Sequence, residues 1–292
     1  MRLDYLVTEE FNGLKVYNIL RGPMKVSGTM IKRLKKSGGI LLNNAPVRTI
    51  DGVKTGDILT VIIDNNEGAT ITPENNPISV LYEDESFIAV DKPANMAVHP
   101  SAGHQTGTLA QAVLWYLIEQ GLQTKIRPIN RLDRDTSGIT LFAKNAYIQD
   151  QLARQMKDNR VYKAYLGIVH GVFSPEKGTI RLPIARKEGS IMERVIDSSG
   201  YDSITHYETI KVHNDLSLVK FVLETGRTHQ IRVHSKAMGH PLLGDGLYSD
   251  IVTNLIGRQA LHSHQLSFDH PITGKRIELV SPLPEDMKRV LE

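Results

Sequence analysis

Through the second half of the chain, apolar runs of β-strand length follow one another without a regular helix between each pair. The clearest are 161–169, 203–212, 216–223, 261–268 and 277–280. A doubly wound parallel sheet needs a crossover helix between successive strands. The expected class is therefore α+β, a mixed, mainly antiparallel sheet with flanking helices. Earlier β runs at 78–82, 87–91 and 139–143 fit the same sheet, with helical patterns at 109–116, 146–156 and 285–291. Thr228 is placed to cap a further helix that stops at Gly239.

A chain of 292 residues is long enough for about two domains. The break is expected near residues 65–77, where Asn65, Asn66, Gly68, Pro73, Asn75, Asn76 and Pro77 interrupt any periodicity. The expected division is a module at 1–66, a linker at 67–77 and a larger domain at 78–292. Charge follows this division. The first 66 residues carry ten Lys or Arg against six Asp or Glu, a net +4, and the remainder nets −1.

In the small module, Ser27 or Thr29 can cap a helix running to about Lys36, closed by Gly38 and Gly39. Ile31 and Leu34 share its inner face, which turns Lys32, Arg33, Lys35 and Lys36 outward. A strand at 40–43, turns at 43–44 and 54–57, and a strand at 58–64 follow. A cationic helix beside a short β-loop suits a phosphate backbone. On charge alone, an ordinary solvated helix face accounts for the pattern better, because helices often carry several lysines.

Cysteine is absent, which excludes disulfides, thiol nucleophiles and cysteine-bound metal clusters. The eleven histidines show no metal-ligand spacing, and no Walker-type loop or dinucleotide fingerprint occurs. No metal and no cofactor are expected. The first ten residues do not read as a secretory signal, and no apolar run is long enough to span a bilayer. A cytoplasmic protein without membrane contact is the expectation.

Three segments carry unusual chemistry. Arg131-Leu132-Asp133-Arg134-Asp135-Thr136-Ser137-Gly138 brackets an aspartate with two arginines before a turn and a strand. Flanking cations favour the charged form of a carboxylate, which can act as nucleophile or general base. The same residues also make a plain turn with surface ion pairs. Gly226-Arg227-Thr228-His229-Gln230-Ile231-Arg232 opens a helix, and Arg232, one turn in, can partner a carboxylate elsewhere. Lys163 and Tyr165 alternate onto one strand face, where a tyrosine can stack on a nucleobase or pack in a core.

Together with Asp91-Lys92-Pro93, Val98-His99-Pro100 and the segment 258–271, these motifs resemble the RNA pseudouridine synthases of the RluA type over residues 78–292. Residues 15–64 resemble the small RNA-binding domain first described in a ribosomal small-subunit protein, the S-four-like domain. The resemblance implies a catalytic domain in which Asp133 is the catalytic aspartate, Tyr165 packs on the uracil and Arg232 pairs with the carboxylate. It implies Arg131, Thr136, Arg227 and His229 as substrate-binding residues, and Lys32, Arg33, Lys35 and Lys36 as RNA contacts. It implies a cofactor-free isomerase acting as a monomer on RNA, ribosomal ahead of transfer RNA, without an obligatory protein partner. Asn130, Asn95 and Gly167 depart from the family's usual His, Gly and Ala. The rival readings are a non-catalytic RNA-binding protein on the same fold and a metal-dependent hydrolase built on the histidines.

Overall fold

The computed structural model describes residues 1–64, 68, 70–101, 103–122 and 124–292. Asn65 and Asn66 at the end of the expected module, Glu67 and Ala69 of the expected linker, and with them the expected boundary at 66/67, lie outside the described residues.

The N-terminal unit runs β1 (Arg2–Leu6), α1 (Val16–Arg21), α2 (Gly28–Ser37), β2 (Ile40–Leu42), β3 (Ala45–Pro46) and β4 (Ile58–Ile62). The four strands form an antiparallel sheet in the order β1-β4-β2-β3. Ser27 is the cap of α2, its hydroxyl accepting the Met30 N–H at 3.3 Å. Met30, Ile31 and Leu34 are buried, and Lys32, Lys35 and Lys36 are exposed. Asn43 and Asn44 make the β2–β3 turn with φ of 49° and 64°, a region Asn tolerates better than most residues.

The larger unit continues with β5 (Ser79–Glu83), β6 (Phe87–Lys92), α3 (Leu109–Glu119), β7 (Arg127–Pro128), β8 (Ser137–Ala143), α4 (Ala146–Lys157) and β9 (Tyr162–His170). Then come β10 (Lys177–Arg181), β11 (Ile184–Arg186), β12 (Arg194–Ile196), β13 (Ile204–His213), β14 (Leu216–Leu223), α5 (Gln230–Ala237), β15 (Leu261–Asp269), β16 (Arg276–Val280) and α6 (Glu285–Lys288). The sheet order is β10-β13-β14-β9-β15-β8-β6-β5, with β16 on β15 and β7 on β8. These pairings are antiparallel except β15 with β8, which is parallel at His262–Ser137 and Ser263–Gly138. The class is thus the mixed, mainly antiparallel α+β sheet that helix-poor strand succession implies. Among the described residues no helix is long and apolar enough to cross a membrane.

One expectation needs correction. Thr228 does not cap α5. The residue before the helix is His229, held at φ 58° without a side-chain cap. The turn is tied instead by the Gln230 side-chain oxygen, which accepts from the Arg227 N–H and the Thr225 hydroxyl, both at 2.9 Å. The strands β10, β11 and β12 escape the apolar pattern because they are short and only half-covered.

The two units share packing. Val7, Leu20 and Val26 belong to one continuous buried cluster with Phe87, Ile148 and Leu152. The Tyr147 hydroxyl donates to the Met24 carbonyl and Gln151 Nε2 to the Lys25 carbonyl, each at 3.0 Å. The N-terminal end of α4 is therefore the seat of the small unit.

Gly138 opens β8 at φ 106°, and a Cβ there would collide with the Ser263 backbone. Glycine is demanded twice, by conformation and by the close parallel strand. Gly138→Ala should lower the urea midpoint by the equivalent of about 1–3 kcal/mol from backbone conformation alone, with further loss from the β8–β15 clash. An unchanged midpoint would show that the two strands separate freely at this point.

Candidate active site

The loop between β7 and β8 carries Asp133, and the first turn of α5 carries Arg232. Arg232 Nη1 donates to Asp133 Oδ2 at 3.0 Å. The rest of the guanidinium fork is engaged by Asp245, with Nε–Oδ2 at 2.8 Å and Nη2–Oδ1 at 2.7 Å. Side-chain exposure is 8% for Arg232, 0% for Asp245 and 27% for Asp133. One arginine thus joins a sealed carboxylate to one that reaches the surface. Bidentate pairing fixes the plane of the guanidinium, and that plane aims one Nη1 N–H at Asp133. The two carboxylates beside it push the Arg232 pKa upward against its burial.

His229 approaches the same Asp133 oxygen, with Nε2 at 3.6 Å. Its Nδ1 lies 2.8 Å from the Tyr248 hydroxyl, and that hydroxyl accepts the Arg194 N–H at 2.9 Å. With the Arg194 N–H taking one lone pair of the hydroxyl, a Tyr248 proton donated to Nδ1 corresponds to the neutral tautomer with its proton on Nε2, toward Asp133. Burial lowers the His229 pKa and favours this neutral form, with the Asp133 charge opposing it.

Tyr165 lies on β9 opposite Ser263 of β15. Burial pushes its phenol up to about 12, with the Ser263 hydrogen bond opposing and the Asp133 charge reinforcing the shift. The phenol is protonated at neutral pH.

The Asp133 loop is bound from below. The Thr136 N–H donates to the Asp133 carbonyl at 3.1 Å, closing the turn. The Lys92 ammonium, wholly buried, donates to the carbonyls of Arg134, Pro93 and Met96, each at 2.8 Å. Burial drives Lys92 down to about 7, and three acceptors answer its three N–H donors. Arg258 joins the Asp135 carbonyl at 3.1 Å to Asp286 of α6 at 2.7 Å. His262 bridges the Ser137 hydroxyl at 2.9 Å and the Ser281 carbonyl at 3.2 Å.

The unusual residues fit locally. Asn130 acts as a rung of backbone, donating to the Ile139 carbonyl at 2.9 Å and accepting the Leu141 N–H at 2.8 Å. Asn95 sits at φ 60°, the left-handed position that Asn tolerates. An added Cβ at Gly167 would press to 2.9 Å from both Leu242 and Phe221.

Arg131, Asp133, Thr136, Tyr165, Arg227, His229 and Arg232 all line one cavity of about 70 Å³. The cavity opens into a groove of about 640 Å³ that shares Arg131, Asp133, Tyr165, Arg227 and His229. Thr136 is buried, with its hydroxyl accepting from Gln259 at 3.3 Å. Lys32, Arg33, Lys35 and Lys36 line neither space and belong to α2 of the small unit. Sequence reasoning did not single out Asp245 or Tyr248. Gly244-Asp245-Gly246-Leu247-Tyr248 reads as a turn, and Asp245 does cap one, accepting the Leu247 and Tyr248 N–H groups at 3.1 and 3.2 Å.

Residues 86–237 match the family described as RNA pseudouridylate synthase. An uncharacterized RNA pseudouridine synthase of Bacillus subtilis, YlyB, is 37% identical over 91% of this chain and 89% of its own length. Ribosomal large subunit pseudouridine synthase D of Xanthomonas campestris is 34% identical over 88% of this chain and 81% of its own. The solved structure of human RNA pseudouridylate synthase domain containing 1 superposes with a TM-score of 0.60 at 26% identity, covering 72% of this chain and 84% of that one.

Burial pushes the His262 imidazole from 6.5 down to about 4, with the Ser281 hydrogen bond opposing. Between pH 6.5 and 4 the unfolded chain takes up a proton here and the folded chain does not. The stability tied to His262 is complete above the higher value and is lost as pH falls toward the lower, by about 3 kcal/mol in all. Urea titrations across this range should show that slope, and His262→Gln, which keeps one donor and one acceptor, should flatten it.

Proposed function

The chain belongs to the RNA pseudouridylate synthase family, whose members are isomerases, and we propose that it converts specific uridines of ribosomal RNA to pseudouridine with Asp133 as the catalytic carboxylate. One observation carries the assignment. Of the two carboxylates on Arg232, Asp245 is sealed and doubly engaged, whereas Asp133 is held by one bond and keeps a free edge toward the cavity.

The target base must leave its stack before it can meet a carboxylate at the bottom of a cleft, at a cost of a few kcal/mol. Contacts to the RNA backbone offset that cost. In the reaction the bond from the ribose anomeric carbon to N1 breaks, the uracil turns, and a bond from that carbon to C5 forms. C5 loses a proton and N1 gains one, so nothing is oxidised or reduced. Asp133 acts on the ribose, either as nucleophile at the anomeric carbon or as base toward a ribose hydrogen. Arg232 fixes its position, and the His229 ring stands beside the same oxygen at 3.6 Å. Tyr165 packs its ring on the uracil, and as a protonated phenol it offers a donor to the turning base. Arg131 fills the place the base leaves or contacts phosphate, Thr136 holds the loop turn, and Arg227 lines the base's entrance.

Residues 1–66 are proposed as an S-four-like RNA-binding domain ahead of a catalytic domain at 78–292, with Lys32, Arg33, Lys35 and Lys36 as its contacts. The ribosomal target draws support from the 34% identity with ribosomal large subunit pseudouridine synthase D; transfer RNA is the competing outcome of the mapping below.

Asp133→Asn should fold and bind RNA yet leave no pseudouridine. Maps of pseudouridine from cells carrying the wild-type or the D133N gene should differ at positions in ribosomal RNA. Wild-type protein without turnover would leave only a binding protein on this fold. The shared core makes deletion of the small unit uninformative, so its role is better tested by charge. Replacing Lys32, Lys35 and Lys36 with Gln should weaken RNA binding and flatten its dependence on log salt by about 0.7–0.9 for each phosphate left without its cation. Equal salt slopes would remove α2 from the interface.

A further inference from the structure

Of the cations shielded from water around the site, Lys163 has the least to hold it. It precedes Tyr165 by two residues on β9, so both side chains leave the same face of the strand. Both line the 640 Å³ groove that leads outward from Asp133. The groove's other basic residues are Arg131, Lys157, Arg227 and His229, and its acids are Asp133 and Glu224. Neither acid serves Lys163. Asp133 is held by Arg232, and the Glu224 carboxylate meets His206 at 2.7 Å.

Lys163 is half-buried, and its hydrogen bond runs to the Glu224 main-chain carbonyl at 3.4 Å. Among the described residues Lys163, Arg131 and Lys157 enter no ion pair. Burial lowers the Lys163 pKa with no carboxylate acting against it. An ammonium carries three donors, and one long carbonyl contact leaves most of its lost hydration unreplaced. Such a group is costly in an empty site and is made good by an anion. The groove offers it next to the ring assigned to the uracil, where the strand entering or leaving an extruded nucleotide has to run.

We infer that Lys163 binds a phosphodiester of the RNA strand adjacent to the extruded uridine, and that the groove it shares with Arg131 and Lys157 is the channel for that strand. This rests on the reading of Asp133 as the carboxylate that acts on an RNA uridine. The compact charge of an ammonium suits phosphate as a point charge. Lys157, at the C-terminal end of α4, continues the track away from the site.

The test uses the full chain with Lys163→Met, which keeps most of the length of the side chain and removes its charge. The probe is a ribosomal RNA stem-loop containing a uridine that the wild-type protein converts. The variant's melting temperature should equal or exceed that of the wild type, because a poorly compensated charge has gone. Its dissociation constant should rise several-fold at low salt, and the slope of log affinity against log salt should fall by about 0.7. A neutral methylphosphonate placed at the phosphate before or after the target should, at one of the two positions, weaken the wild type to the level of the variant and leave the variant unchanged. Equal affinity and slope for the two proteins would overturn the assignment. So would a lowered melting temperature with an unaltered salt slope, which marks a structural lysine. Conversion of the uridine by the wild type reports separately on the Asp133 reading, so the two failures are distinguishable.

Discussion

A single guanidinium organises the cleft. Arg232 stands between a carboxylate with no access to water and one with partial access, and it bonds to both. Removing an arginine and an aspartate from water is expensive, and the expense is met only when geometry is good and the remaining donors are satisfied. Asp245 meets that condition by engaging two edges of the fork while capping its own turn. The third edge then has one direction open to it. Asp133 is positioned from the side by an assembly whose sealed member, Asp245, does not face the cavity.

From beneath, the loop depends on backbone carbonyls being held by buried cations. Lys92 from β6 and Arg258 before β15 take up the carbonyls of Arg134 and Asp135. Those elements flank β8 in the sheet, so three strands and α6 converge under the loop. The parallel contact of β8 with β15 is where an otherwise antiparallel sheet lets this happen. It brings the start of β8 beside the start of β15, and the close backbone approach excludes any side chain at Gly138.

Much of this was legible in the chain. Helix-poor strand succession pointed to the class, because only a turn or a crossover can join neighbouring strands. Asp133, Tyr165 and Arg232 stood out through motif resemblance, and they do converge on one cavity. Without the resemblance the sequence favours a surface turn for Asp133, since its partner is 99 residues away. Asp245 stayed hidden because a Gly-Asp-Gly turn accounts for itself locally. The cap of α5 was misassigned for a related reason: a threonine in the right place competes with a glutamine side chain that reaches backward, and spacing does not decide between them. Strands β10 to β12 offered no alternation, having too little covered surface to impose one.

The helix α4 touches both halves of the molecule. Tyr147 and Gln151 near its start grip the Met24–Lys25 corner of the small unit, while Met156 and Lys157 at its end border the groove. A helix of twelve residues is a stiff bar about 18 Å long. It fixes the distance between the Met24–Lys25 corner of the small unit and the wall of the groove much as the jaws of a gauge are set by its beam. Under the proposed reading, an RNA held by the small unit must present its uridine at the reach this bar allows, which would bring the shape of the folded transcript, as well as the letters around the target, into the choice of site.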